Sequence, residues 1–496
     1  MVFYNEDWIH FLWTRYKAKI DITEDVLRDY IYSLKGSQIT DFVMNVNGTV
    51  STAPSDIIET FADRYLLTEE NGVAVNYKNT FAESAYKLFC KKTDMYQIWI
   101  DALKEIGINP WISFRVNDCH GSMQKTDLRK STYVDANPDL YISSHRNQIG
   151  YFDKGFDYSQ SIIRDRILSY IDEILNRYDI YGLELDMMRD FIFTKPGFEN
   201  DIKIFLEGVM NLRKKYEKMY NHSIKLSLIL PSSPAFCMER GVNISDFENE
   251  IDFITIISRW ETTDTDMPIE LWKQLLRGTN IKLGGGQQLL FKPFRDYKPV
   301  ISSVKMAFGQ AISNLCRGCD FIYLYNYMDL GEFEGEIGNW IYEDSIRNDN
   351  NRNLIFHNIG KKDTLLKQSR SHVVTYADFS TYSLSASPVL PLKFSKDSDY
   401  QLVKIPVGEI EKNSKVRIFL GVSSDESLES SDFEVYINSA KCAFSEITTI
   451  DKHIYENECF VFDITENRFD IMYLEVRISN ECALEYVEIE VNPVLQ

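Results

Sequence analysis

Residues 181–191 read YGLELDMMRDF, and the reading of this stretch decides the fold. Leu183 and Leu185 alternate with Glu184 and Asp186 in a short apolar run. In an extended chain residues i and i+2 point to the same side, so the two acids share one face. A strand covered on both sides is ordinarily apolar on both. Carboxylates on one of those faces must therefore be paired, hydrogen-bonded or exposed where the strand ends.

Outward from this stretch, short apolar runs alternate with segments of helical spacing from residue 38 to about 330. The runs are TDFVMNVNG (40–48), NPWISFRVND (109–118), YGLELDMM (181–188), IKLSLILP (224–231), DFITIISRW (252–260), IKLGGGQQLL (281–290) and FIYLYNYMD (321–329). Between them lie helical patterns such as 81–107 and 161–179, and a helical lead-in is expected over 23–35. An eighth strand is expected in GVAVNY (72–77). Eight βα units with strands buried on both faces favour a (β/α)8 TIM-type barrel over an open doubly wound sheet. No GxGxxG follows a strand, and GGG at 284–286 reads as close backbone approach or a bulge. After about residue 370 the pattern changes to short alternating strands separated by turns, as in KVRIFLGVSS and IMYLEVRIS, which is the pattern of a β-sandwich. The expected fold class is thus α/β: a barrel over 1–365 followed by an all-β sandwich over 370–496.

Composition narrows the partners. Of 496 residues, 54 are Lys or Arg against 74 Asp or Glu, a net charge of −20 that opposes nucleic acid and anionic membrane and leaves neutral ligands. No run approaches the ~18 apolar residues that span a bilayer, and Met1–Asp7 has neither a basic n-region nor an apolar h-region, so a cytoplasmic protein is expected. The 8 cysteines are scattered and the histidines number 7. Cys316 and Cys319 form the one close pair, late in a helical pattern, and read as packing thiols. No metal or other cofactor is expected, and self-association is left open.

In such a barrel the ligand site lies at the C-terminal strand ends. Those ends carry Asn45 and Asn47; Arg115, Asn117, Asp118 and His120; Glu184, Asp186 and Arg189; Trp260 and Glu261; Gln287 and Gln288; Tyr325 and Asn326. Amides, carboxylates, guanidinium groups and aromatic rings around one mouth suit a polyhydroxylated neutral ligand. For each residue the structural alternative is a helix cap or a buried network. Glu184, the deeper acid, is divided evenly between function and a structural pairing with an arginine, whereas Asp186 at the rim favours function.

INPWISFRVNDCHG, YDIYGLELDMMRDF and ISRWETTDTDMPIELWKQLL, with the early FVMNVNG, resemble the family 10 glycosylhydrolase-like barrel proteins of bacterial carbohydrate-utilisation loci, in segment order over residues 5–330. The resemblance implies a glycoside hydrolase-type barrel with a trailing β-sandwich. It departs from the xylanase pattern, in which an Asn-Glu pair ends the fourth strand and a Glu the seventh; Gln287 and Gln288 stand where that second Glu would be sought. Glycoside cleavage needs two carboxyl groups across the scissile bond. Asp186 as nucleophile or charge-stabilising carboxylate and Glu261, beside Trp260, as general acid are similar to the arrangement of retaining barrel glycosidases that use strands four and six. Asp118 is the spare. A second class is a metal-dependent sugar isomerase or epimerase using Asp118, His120, Glu184 and Asp186. The third is a sugar-binding barrel without catalysis.

Overall fold

The computed structural model describes residues 1–496 except 122–123, 143–154, 189–190, 259–264, 289, 292–299, 328–348, 376–388, 453, 467 and 495–496. Eight parallel strands close into a barrel: β1 (Val2–Glu6), β2 (Asp41–Asn45), β3 (Asn109–Arg115), β4 (Gly182–Asp186), β5 (Lys225–Pro231), β6 (Phe253–Ile257), β7 (Lys282–Gln288) and β8 (Phe321–Tyr325). Each pairs with its sequence neighbour, and β1 closes the ring between β8 and β2.

The first strand corrects the sequence expectation. GVAVNY contributes only Val73–Ala74, paired with Glu69–Glu70 in a two-stranded ribbon outside the barrel. The eighth strand is Val2–Glu6, whose five residues are all buried. VFYNE ends in polar residues and is followed at once by Asp7, so it carries little apolar signal. Ordinals from the third strand onward are unaffected, and Gly182–Asp186 is the fourth. The lead-in helix is Glu24–Tyr32, capped by Thr23, while the pattern at 81–107 divides into helices Ala82–Lys91 and Met95–Ile106 at a left-handed Lys92.

Rings from β1, β3, β6 and β8 meet across the interior and plug the lower barrel. Phe3 lies 5.3 Å from Trp111, 5.4 Å from Phe253 and 4.6 Å from Phe321, centroid to centroid. Rings this large fit because neighbouring inward positions carry no side chain. A Cβ at Gly182 would run into Trp111, and one at Gly284 into Phe321. Gly285 is approached from the other side, by Asn314 of helix Val304–Cys316, so the GGG run is a place of close approach on both faces.

Beyond β8, helices Asp349–Asn358 and Lys362–Leu365 and the turn between them add Ile355, Phe356, Ile359 and Leu365 to the barrel's core. The chain then enters two antiparallel sheets. One contains β9 (Arg370–Val374), β10 (Leu392–Phe394), β12 (Lys415–Ser423), β15 (Ala443–Thr449), β16 (Glu458–Asp463) and β18 (Cys482–Asn492). The other contains β11 (Gln401–Pro406), β13 (Phe433–Ile437), β14 (Ala440–Lys441) and β17 (Ile471–Ile478). Their facing sides bury a separate apolar core, including Ile405, Ile418, Val435, Leu474 and Ile489, which makes this part a β-sandwich. Its six-stranded sheet turns the opposite face to the barrel, where Val373, Phe419 and Tyr486 pack with Phe291, Val300 and Met306.

Candidate functional site

Alternation along each barrel strand fixes what reaches the interior. Above the aromatic plug most inward side chains are polar, first Ser113, Glu184, Ser227, Thr255 and Tyr323, then Asn5, Asn45, Arg115, Asp186, Gln288 and Tyr325, beside the apolar Ile229 and Ile257. All are at most 8% exposed. Glu184 and Asp186 share the inner face of β4, as their spacing requires, with Glu184 one layer deeper.

Both acids are met from the far side of the barrel. Tyr323 on β8 donates to Glu184 Oε1 at 2.7 Å, and Tyr325, two residues on, donates to Asp186 Oδ2 at 2.8 Å. Two acids at i, i+2 on β4 thus face two tyrosines at i, i+2 on β8. The partner of Glu184 is a phenol, not the arginine considered from sequence. A tyrosine on the opposite strand is as distant in sequence as the barrel permits, so local spacing does not reveal it.

The two carboxyls differ in surroundings. Burial raises Glu184 from 4.5 to about 8, against the lowering effect of the Tyr323 and Ser113 hydroxyls, and the charge of Asp186 pushes in the same direction as burial. Glu184 is therefore held largely as the neutral acid at neutral pH. Asp186 sits at the rim, where its Oδ1 also accepts from the Met188 backbone N–H at 3.1 Å.

Next to Asp186 in register stands Arg115. Its guanidinium donates to Asp7 Oδ2 at 2.7 Å and lies 3.7 Å from Asp118. Asp118 accepts from the backbone N–H of His120 at 2.9 Å, and its Oδ1 lies 2.7 Å from His120 Nδ1, which fixes the orientation of a ring whose side chain is 22% exposed. Asp7 also caps helix Trp8–Lys17 through the Ile9 N–H, so one carboxylate joins β1, β3 and the first helix.

Asparagines form an arc along β2, β1 and β8. Asn5 Nδ2 donates to Asn45 Oδ1 at 3.1 Å, while Asn5 Oδ1 accepts from the Asn326 N–H at 3.2 Å. Asn326 holds a left-handed backbone at φ 51°, which Asn tolerates better than most residues. Asn45 Nδ2, Asn326 Oδ1 and Gln288 Oε1 are buried and have no hydrogen-bond partner among the described residues. Buried polar atoms in that condition call for an explanation.

Three sequence candidates are engaged elsewhere. Asn47 pairs with the backbone of Arg115 in both directions, donating to its carbonyl and accepting from its N–H, each at 3.0 Å. Asn117 donates to the Ile192 carbonyl at 2.8 Å and accepts from the Phe156 N–H at 3.0 Å, tying two loops to the end of β3. Gln287 faces the helices and donates to the Ala307 carbonyl at 3.1 Å; its neighbour Gln288 is the inward residue. Arg189, Trp260 and Glu261 lie outside the described residues. Sequence reasoning missed Asn5 and Asp7 because the first strand was not read. Among the described residues no three His, Cys, Asp or Glu side chains gather closely enough to hold a metal ion, and no helix is long and apolar enough to cross a membrane.

No protein-family model and no curated protein matches the chain. Solved structures to which the chain is similar include the chitinase ChiW of Paenibacillus sp., at 10% identity and a TM-score of 0.41, covering 98% of this chain and 55% of that one. They also include the family 36 α-galactosidase AgaA of Geobacillus stearothermophilus, at 10% identity and a TM-score of 0.35, over 96% and 55% of the two chains. A family 18 N-acetylglucosaminidase of Paenibacillus barengoltzii is similar at 8% identity and a TM-score of 0.35, over 66% and 95%. All three are glycoside hydrolases. The chain spans about half the length of the first two.

Proposed function

We propose that the protein is a glycoside hydrolase whose site is the C-terminal mouth of the barrel, with Asp186 as the nucleophile or charge-stabilising carboxylate. The observation that carries this reading is the set of amide atoms left over at the strand ends. An aspartate held by a tyrosine and a backbone N–H shares the strand ends with buried amide atoms on Asn45, Asn326 and Gln288 that have no partner among the described residues. Unclaimed donors and acceptors around a carboxylate match a ligand that offers many hydroxyl groups. The family 10 glycosylhydrolase-like resemblance of the strand-end strings supports the same class.

In this mechanism a general acid protonates the glycosidic oxygen as the bond to the anomeric carbon breaks. Asp186 either bonds to that carbon or stabilises its positive charge, and water completes the hydrolysis. Glu261, after β6, is proposed as the acid, with Asp118 as its replacement if Glu261 does not border the cleft. Glu184 has a different part: a neutral acid beneath Asp186 adds no second negative charge to the layer on which the oxocarbenium-like centre rests. Tyr325 positions Asp186, and Asn45, Asn326 and Gln288 bind sugar hydroxyls.

The experiment is turnover of aryl glycosides that differ in sugar and anomer. Hydrolysis of one of them by the wild-type protein, lost in Asp186→Asn, is the expected result. Absence of hydrolysis across a broad panel including natural oligosaccharides, with sugar binding retained, would leave a non-catalytic sugar-binding barrel.

A further inference from the structure

The two sheets of the sandwich have four edges, and an edge strand offers a row of unpaired backbone N–H and C=O groups to any other extended chain. Three of these edges are guarded. β9 lies against helix Val304–Cys316, so close that a Cβ at Gly309 would overlap the Ser371 carbonyl. β10, which continues the same edge along β18, is three residues long. In the smaller sheet β11 carries Lys404 and ends at Pro406, and β14 has only two residues. A covering helix, shortness, lysine and proline are all ways of keeping an edge from pairing.

The fourth edge is β15, AFSEITT, seven residues long with neither Lys nor Pro. It pairs on one side only, with β16, and among the described residues no strand lies beyond it. Its single irregularity is a bulge between Phe444 and Glu446. All seven residues are exposed except Thr448, which is half-buried. Phe444 and Ile447 stand opposite Phe462 and Phe460 of the sandwich core, so both face the core side, three residues apart because of the extra residue at the bulge. They are nevertheless 42% and 43% exposed, since the four-stranded sheet does not reach over this outermost strand. The one charge of the strand, on Glu446, lies 3.1 Å from Arg417 of β12. In a chain of net charge −20, this edge therefore lets two like molecules approach without setting an uncompensated carboxylate against another.

We infer that β15 is a self-association edge, on which β15 of a second copy pairs antiparallel and joins the two six-stranded sheets into one. The added strand satisfies the free backbone groups, and a two-fold axis makes the contact self-complementary. With the axis between Ser445 and Glu446, Phe444 of each copy faces Ile447 of the other, which gives two aromatic–β-branched pairs on the exposed apolar face. Glu446 then faces Ser445. An axis on Glu446 itself would set the two glutamates together, which is unfavourable. An edge pair of this length is a small interface, so a dissociation constant of about 1–10 µM is expected. The inference is independent of what the barrel binds.

The test is sedimentation velocity of the full chain at about 100 µM, above that constant. The wild-type protein should sediment as a dimer. Ile447→Lys and Phe444→Glu, both at exposed positions, should each be monomeric, because each sets a charge against an apolar side chain of the second copy. Unfolding transitions like that of the wild type show that both variants are folded. An equimolar mixture of the two should dimerise again, since the new lysine of one chain then faces the new glutamate of the other while the unaltered Phe444 and Ile447 remain paired. A monomeric wild type overturns the inference and leaves the edge to an extended segment of a different protein. Dimers that survive in both single variants overturn it by placing the interface elsewhere, and a mixture that stays monomeric overturns the pairing of Phe444 with Ile447.

Discussion

Along β17 of the sandwich the inward residues are Met472, Leu474, Val476 and Ile478, whereas along β4 of the barrel they are Gly182, Glu184 and Asp186. Both strands obey the same period of two, and both bury their inward side chains. The sandwich uses its buried positions to hold two sheets together from one end of the strand to the other. The barrel is packed by rings at its lower end, where Phe3, Trp111, Phe253 and Phe321 meet, and above that plug most inward positions, Ile229 and Ile257 apart, go to groups that must be hydrogen-bonded to be tolerated. The difference locates chemistry: the inner face becomes mostly polar where the barrel approaches its mouth.

Trp111→Ala removes the largest ring of the plug and the indole N–H that donates to Asp41 at 2.8 Å, and should cost about 3–5 kcal/mol in chemical denaturation. A loss below about 1 kcal/mol would mean that the plug does not hold the barrel.

The polar layer makes a prediction of opposite sign. Glu184 titrates near 8 in the folded protein against 4.5 when free, so the folded state keeps a proton that the unfolded chain has released between those values. Its contribution to stability is full below pH 4.5, declines as pH rises to about 8, and is flat above. Glu184→Gln cannot ionise and should remove that part of the decline, leaving the variant relatively more stable than wild type at pH above 8 than below 4.5. Parallel pH profiles of the two melting temperatures would rule this out.

At the mouth, Asn45→Ala should raise KM about 2- to 10-fold with kcat little altered, as for the loss of one hydrogen bond made equally in ground and transition states. A selective fall in kcat would place Asn45 closer to the reacting atoms. The smallest effect is expected where sandwich and barrel touch through charge. Lys404 lies 2.8 Å from Asp266, and both are about a third exposed, so Lys404→Met should change stability by less than about 1 kcal/mol. A larger loss would assign the junction to ion pairs instead of the apolar patch around Phe419.

Much of this architecture is legible in the sequence because period-two and helical patterns are local. The barrel, the switch to all-β strands and the shared face of Glu184 and Asp186 all follow from spacing within a few residues. Val2–Glu6 escaped because a five-residue strand with Asn5 and Glu6 among its members has too few apolar residues to register as one. Which glutamine of β7 points inward is hidden for a related reason: three glycines carry no side chains, so the stretch offers no inward and outward pattern to set the parity of Gln287 and Gln288. Asn47 and Asn117 look like binding residues because their amides serve equally well as substitutes for backbone groups, and only the folded chain shows which use they have. The tyrosine ladder was beyond reach on any local argument, since Tyr323 and Tyr325 lie 139 residues from the acids they touch.

In the proposed mechanism two acids two residues apart on one strand have different roles because they stand at different depths. The most direct measurement is kcat for Asp186→Asn and Glu184→Gln, side by side, on whichever glycoside the wild-type protein hydrolyses. A fall of roughly a thousandfold or more is expected for Asp186→Asn with the fold retained, and less than about tenfold for Glu184→Gln. Near-normal turnover by Asp186→Asn, or the greater loss in Glu184→Gln, would contradict it.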